Sequence, residues 1–275
     1  MDTGIRPAEE RDLPALTEIW KVCFHDPEEY IRFFYRENFP YLSAAVYTED
    51  DRPVSMLHML EASFADGPRR LDARFLYAGG TLPAFRGRGY YGALFRYVTA
   101  LADREGFALF GKPASRELLP YYQALGFRQD ACLRLVTIRP AERLPLSFSP
   151  LTPHEYNRLR DLAFAGRPYA KWTDRHVGWC FADNEWFGGQ ALSFRLDGAV
   201  HFLLGAPEDG ALTLTETDLT LAQLRRAAGA ICALFGASLL KAYLPDFACR
   251  EGEEIVSSIV YHAPLRNTYV NLTLS

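Results

Sequence analysis

The stretch from Phe75 to Phe95 constrains this chain more than any other. It opens as an apolar run over 75–78, crosses a loop of glycine, proline and arginine, and closes as an amphipathic segment. Leu94, Tyr97, Val98 and Leu101 recur at helical spacing, which predicts a helix with one buried face. Between strand and helix lie Arg86, Gly87, Arg88, Gly89, Tyr90, Tyr91 and Gly92. Glycine lets backbone approach a ligand with no Cβ in the way. The first-turn N–H groups of a helix lack intrahelical partners and sit at the positive end of its dipole, so they suit an anion. Arg86 and Arg88 add side-chain charge that matches phosphate. The sequence therefore predicts a pyrophosphate cradle over residues 86–92.

Gly87, Gly89 and Gly92 also satisfy the spacing of a dinucleotide fingerprint, which would make the chain an NAD(P)-dependent oxidoreductase. That fold wants a tight strand-to-glycine turn and an acid about 20 residues on. Here Pro83 and Arg86 intervene, and Lys112 stands near the place of the acid. A plain glycine turn with solvated arginines is the bland alternative. Pro83, Arg86, Gly87, Arg88 and Gly89 resemble motif A of the GCN5-related N-acetyltransferases, Arg/Gln-x-x-Gly-x-Gly/Ala, which holds the pyrophosphate of acetyl-CoA. One departure is visible: the last small position of the motif falls on Tyr91, and Gly92 comes one place later.

A second patch resembles the same family. Residues 117–127 look like its helix followed by a Tyr-x-x-x-Gly-Phe signature, here Tyr122, Gly126 and Phe127. The resemblance places Tyr122 where the family's tyrosine protonates the departing CoA thiolate. It implies an α+β fold, a mixed and mostly antiparallel central sheet flanked by helices. It also implies acetyl-CoA as cosubstrate, an amine as acceptor, and a backbone N–H near Thr81 or Leu82 as donor to the developing oxyanion.

Outside these patches, Asp12 and Asp26 are placed to cap helices that begin just after them. Strands are expected over 44–47 and 54–64, then over 107–110 and 132–138. Pro140, Pro145 and Pro150 mark a linker, so the reading divides the chain into a catalytic domain at 1–140, a linker at 141–150 and a second domain at 151–275. In the second half, helices are expected over 153–164 and 221–235, and a helical segment over 172–186. Strands are expected over 191–196, 200–204, 211–216 and 238–244. The 211–244 strand–helix–strand resembles a degenerate second acetyltransferase fold, as in the tandem branch of the family. Its junction from Glu216 to Gln223 lacks glycine and carries acids where phosphate would sit.

A net charge of −4, with no basic run interleaved with aromatics, speaks against nucleic acid. No apolar stretch approaches a membrane span and the N-terminus shows no signal core, so a cytoplasmic protein is expected. Cysteines at 23, 132, 180, 232 and 249 are scattered, as are the histidines, and no spacing suggests a metal. Homo-oligomerisation stays open.

An amine must lose a proton before it can attack. His58 and Glu61 are candidate bases, because an ionisable residue in an apolar strand has a partner or a task. Three apart on a strand, they point to opposite faces. The terminal carboxylate of Ser275 is a third candidate, by resemblance to tandem relatives. A non-catalytic module that senses CoA or a small ligand is the main alternative to an enzyme.

Overall fold

A computed structural model of the chain describes residues 3–39, 43–141 and 144–272. The chain forms two compact units that interleave along the sequence. The first takes residues up to 63, then 71–129 and 259–264; the second takes 64–70, 130–258 and 265 onward. The stretch expected as a linker holds a strand at its end, Phe148–Pro150.

Elements of the first unit run β1 (Gly4–Pro7), α1 (Leu13–Phe24), α2 (Glu28–Asn38), β2 (Ser43–Glu49), β3 (Arg52–Asp66) and β4 (Arg69–Thr81). They continue with α3 (Tyr90–Glu105), β5 (Ala108–Gly111) and α4 (Leu119–Ala124). β1, β2 and β3 pair antiparallel in that order, and β4 lies beside β3. β5 is parallel to β4, from Ala73 opposite Ala108 to Leu76 opposite Gly111. A parallel pair needs a crossover, and α3 supplies it. The helix buries Leu94, Phe95, Val98 and Ala102 and stops at Gly106, whose φ of 78° suits a left-handed cap.

The two expected helix caps do other work. Asp12 turns its carboxylate to the Arg6 guanidinium at 2.6 and 2.9 Å. Asp26 accepts from the Trp20 indole N–H at 2.7 Å, and α2 starts from Pro27 without a side-chain cap. Asp12 also accepts from the Glu9 amide at 2.8 Å, so it closes the turn before α1 instead of capping the helix after it.

The second unit begins with the remainder of β6 (Arg128–Ile138), then β7 (Phe148–Pro150), α5 (Pro153–Phe164), β8 (Tyr169–Trp172) and α6 (Asp174–Trp186). It goes on through β9 (Gln190–Leu196), β10 (Ala199–Glu208), β11 (Ala211–Thr217), α7 (Leu221–Phe235), β12 (Leu239–Pro245) and β13 (Glu253–Tyr261). Trp172, expected in a helix, closes β8 instead, because Thr173 caps α6 by accepting from the His176 amide. β11 and β12 are parallel and joined by α7, so the second unit repeats the strand–helix–strand of the first. Its core gathers Leu212, Leu214, Leu224, Ala228, Ile231 and Leu240. Among the described residues no helix is long and apolar enough to cross a membrane.

The second unit also buries an ion pair completely. Arg160 and Glu216 are both 0% exposed and meet at 2.8 Å. Tyr156 and Tyr269 donate to the two Glu216 oxygens at 2.8 and 3.0 Å, and Arg160 donates to the Ala170 carbonyl at 3.3 Å. Burial draws the guanidinium pKa down, and Glu216 more than offsets this, so Arg160 stays charged. Breaking such a pair costs about 3–5 kcal/mol, because one charge stays buried alone. Glu216→Ala should lower unfolding stability by that amount in urea titrations, whereas Arg160→Met with Glu216→Leu should recover most of it.

Candidate active site

β4 outruns its parallel neighbour. Pairing with β5 ends at Leu76 and Gly111, while β4 continues to Thr81. Just past the last pair, Ala78 adopts φ 43°, a left-handed conformation that costs a non-glycine residue on the order of 1 kcal/mol. His58 holds it there. Its Nδ1 lies 3.1 Å from the Ala78 carbonyl, which can only accept, so Nδ1 carries the proton. Nε2 is then the acceptor for the Tyr35 hydroxyl at 3.1 Å. The ring is 0% exposed and packed among Trp20, Phe34 and Tyr35. Burial pushes its pKa down to about 4, so it is neutral. Considered as a base, His58 has no spare lone pair; it is the clamp on a strained strand.

Gly79 and Gly80 follow the clamp. A Cβ on Gly80 would lie 3.0 Å from the Cys23 sulfur, and one on Gly79 would lie 2.5 Å from the Tyr91 hydroxyl. These glycines admit α1 on one side of the strand end and α3 on the other. Sequence reading passed over them; two consecutive glycines inside an apolar strand were the available signal.

Beyond Thr81 the loop turns into α3. Gly87 and Gly89 hold φ of 76° and 81°, and a Cβ on either would meet nothing within 4 Å. Their need for glycine is conformational, and the space around them is open. Gly89 is the N-cap and has no side chain to satisfy the amides behind it. The first intrahelical bond runs from the Ala93 amide to the Gly89 carbonyl, so the N–H groups of Tyr90, Tyr91 and Gly92 precede it. The matching junction of the second unit is closed. There Thr220 accepts from the Gln223 amide, and the Gln223 side chain accepts from the Thr220 amide. Its acids are engaged too: Glu216 lies buried with Arg160, and Asp218 accepts from His201 and from the Phe202 amide.

The two loop arginines differ from the expectation. Arg86 donates to the Thr81 carbonyl at 3.0 Å and so tethers the loop to the end of β4. Arg88 pairs with Glu49 at 3.1 Å, and Tyr90 donates to the same carboxylate while stacking on Tyr47 at 4.0 Å. Glu49 thus balances one positive charge of the cradle, a partner the sequence did not reveal because it arrives from β2.

Of the expected oxyanion donors, Leu82 is excluded: its amide donates to the Val54 carbonyl at 3.0 Å. Thr81 keeps its place at the strand end, with its hydroxyl 2.8 Å from that of Ser55. Glu61 is exposed on β3, on the opposite face from His58. Ser275 lies outside the described residues. Tyr122 is buried on α4 against Phe95 and Phe127. It stands edge-on to Tyr121 at 5.6 Å, and Tyr121 lies parallel to the Tyr91 ring that rests on Gly79. Among the described residues no cluster of His, Cys, Asp or Glu could hold a metal ion.

A family profile described as an acetyltransferase (GNAT) domain matches residues 4–129. This chain carries a GNAT acetyltransferase domain. Solved structures share the fold over nearly the whole chain. A conserved protein from Enterococcus faecalis superposes with a TM-score of 0.73 at 12% identity, covering 94% of this chain and 72% of its own. A GCN5-related N-acetyltransferase from Kribbella flavida gives 0.67 at 15% identity, covering 93% and 71%. The N-myristoyltransferase of Saccharomyces cerevisiae, solved with myristoyl-CoA, gives 0.60 at 8% identity, covering 98% and 85%. No curated protein matches the chain in sequence. The GNAT domain is an acyl-transfer domain, and the likeness to these structures extends its fold into the second unit.

Two outcomes follow from the clamp and the cap. His58 is neutral in the folded protein and titrates near its usual 6.5 when unfolded, so its contribution is complete above about pH 6.5 and is lost as pH falls towards 4. Unfolding free energy should drop by at most roughly 3 kcal/mol through that window on this account, and His58→Gln should flatten the slope. Gly89→Ala, forced to φ 81°, should weaken CoA binding in calorimetry while unfolding stability falls by only about 1 kcal/mol.

Proposed function

We propose that the chain is an N-acetyltransferase that moves the acetyl group of acetyl-CoA to a primary amine of a small molecule or peptide by direct attack. One observation carries this reading: α3 starts without a side-chain cap just past the end of β4, and a buried tyrosine, Tyr122, packs against the same helix at Phe95. The open amides of Tyr90, Tyr91 and Gly92, with the glycines before them, suit a pyrophosphate. Arg86 and Arg88 border that site, Arg88 with its charge shared by Glu49.

The amine nitrogen attacks the thioester carbonyl carbon, and negative charge grows on the carbonyl oxygen. The Thr81 amide is the remaining expected donor to that oxygen. As the C–S bond breaks, its electron pair goes to sulfur, and Tyr122 supplies the proton. Glu61 is the base candidate whose carboxylate solvent reaches, and we assign it the amine proton, taken directly or through water. The second unit, with its own junction capped, contributes acceptor selection and not a second CoA site.

A CoA-sensing module without chemistry would share the cradle but has no use for a buried phenol beside the strand end. The glycine spacing of a dinucleotide fold is explained here by helix entry. Tyr122→Phe should lower kcat about 100-fold with acetyl-CoA affinity unchanged, measured by thiol release across a panel of aminoglycosides, polyamines and peptides. A full rate in that variant rules out the acid role, and thiol release from none of the amines favours the sensor.

A further inference from the structure

Gly92 lies inside α3 and, unlike Gly87 and Gly89, has no left-handed φ. Glycine at such a position weakens a helix relative to alanine, so its reason lies outside the backbone. A Cβ there would stand 3.5 Å from Nη1 of Arg96 and 3.6 Å from the Tyr121 hydroxyl. Those are ordinary contacts: a methyl would fit, and a longer side chain would fill the gap that the two groups border. The gap also accounts for the departure from motif A, which carries its small residue one place earlier, at Tyr91. Successive helix positions differ by about 100° around the axis, so the shift turns the open face of the first turn. Tyr91 fills the earlier direction, its hydroxyl 2.5 Å from where a Cβ on Gly79 would be. Gly92 leaves the next direction open, towards Tyr121 on α4.

Arg96 is exposed one turn further along α3, and its guanidinium folds back over the first turn, as helical side chains tend to do. There it faces the positive end of the helix dipole and amides that no side chain caps. Such a placement repels a cation, and a bound anion relieves the repulsion. The other two arginines near the cradle are engaged elsewhere. Arg86 donates to the Thr81 carbonyl, and Arg88 donates to Glu49 and to the Ala84 carbonyl. Among the described residues Arg96 has no acidic partner and the Tyr121 hydroxyl has no acceptor. Tyr121 is held by its ring, parallel to Tyr91 at 6.3 Å and edge-on to Tyr122 at 5.6 Å.

We infer that Arg96 and Tyr121 are side-chain ligands of the CoA pyrophosphate, gripping it across the gap that Gly92 leaves in the first turn of α3. This rests on the reading of residues 86–92 as a CoA cradle. Arg96 supplies a full charge and a planar fork of N–H donors, which matches phosphate oxygens. Tyr121 supplies one neutral O–H from the neighbouring helix, and the amides of the first turn complete the set. The charge that the motif places in the loop is thus supplied from one turn inside the helix, while Arg86 and Arg88 hold the loop in shape.

The test is calorimetric titration with CoA and with dephospho-CoA, which keeps the pyrophosphate and lacks the ribose phosphate. Arg96→Ala should raise Kd about 10-fold for both ligands, and Tyr121→Phe roughly 5-fold, with melting temperatures at the wild-type value. Arg96→Lys should recover part of the loss. Added salt should weaken binding less steeply in Arg96→Ala than in wild type. Arg104→Ala removes the same charge from the far end of α3 and should leave Kd unchanged. Normal wild-type binding beside an unchanged Kd in Arg96→Ala would reject Arg96 and keep the cradle, and an unchanged Kd in Tyr121→Phe would reject the phenol. A loss seen with CoA and absent with dephospho-CoA would overturn the pyrophosphate assignment in favour of the ribose phosphate. An equal loss in Arg104→Ala would reduce the effect to overall charge. Failure of the wild-type protein to bind CoA would remove the cradle itself.

Discussion

The hydrogen bond from His58 to the Ala78 carbonyl is the contact on which the site depends. A strand running beside β5 would spend its amides and carbonyls on the ladder, and nothing would remain for a substrate. The left-handed turn at Ala78 takes β4 out of that pairing, and it is tolerated because a buried, neutral imidazole receives its carbonyl. Trp20, Phe34 and Tyr35 keep that imidazole dry and oriented, so packing of α1 and α2 fixes backbone geometry on β4. His58 is a neutral clamp on a strained strand.

Two copies of one supersecondary plan show what separates a ligand site from a scaffold. β4–α3–β5 and β11–α7–β12 both set a parallel pair around a helix. At α3 the residue before the helix is a left-handed glycine with no side chain, so no cap engages the first amides. At α7 a threonine and a glutamine satisfy those amides reciprocally. Capping of this kind adds stability and removes the anion site. The acids at the second junction, which sequence suggests would repel phosphate, are instead turned inward, where Arg160 and His201 neutralise or bind them.

Legibility in the sequence followed the range of the interactions. α3 and its glycine stop, α5, α7 and the parallel strands were readable, because periodicity and turn residues are local signals. The glycine loop that leads into α3 was readable for the same reason. α1 starts just after Asp12 as expected, but the capping roles differed: the Asp12 carboxylate went to Arg6 and that of Asp26 to Trp20. Glu49 beside Arg88, and the Leu82 amide spent on Val54, could not be inferred, since both depend on which strand lies next to which.

By itself the sequence determined a glycine-rich helix entrance, a second tyrosine signature at the right distance, and hence a GNAT domain. Those features are short-range, and each residue's conformational needs are written in its own side chain. The tertiary structure alone decided that His58 is a clamp, that Tyr91 reaches Gly79, and that the second helix entrance is closed. These outcomes turn on hydrogen-bond partners brought together across the sheet, and a linear chain carries no record of which groups will meet when water is excluded.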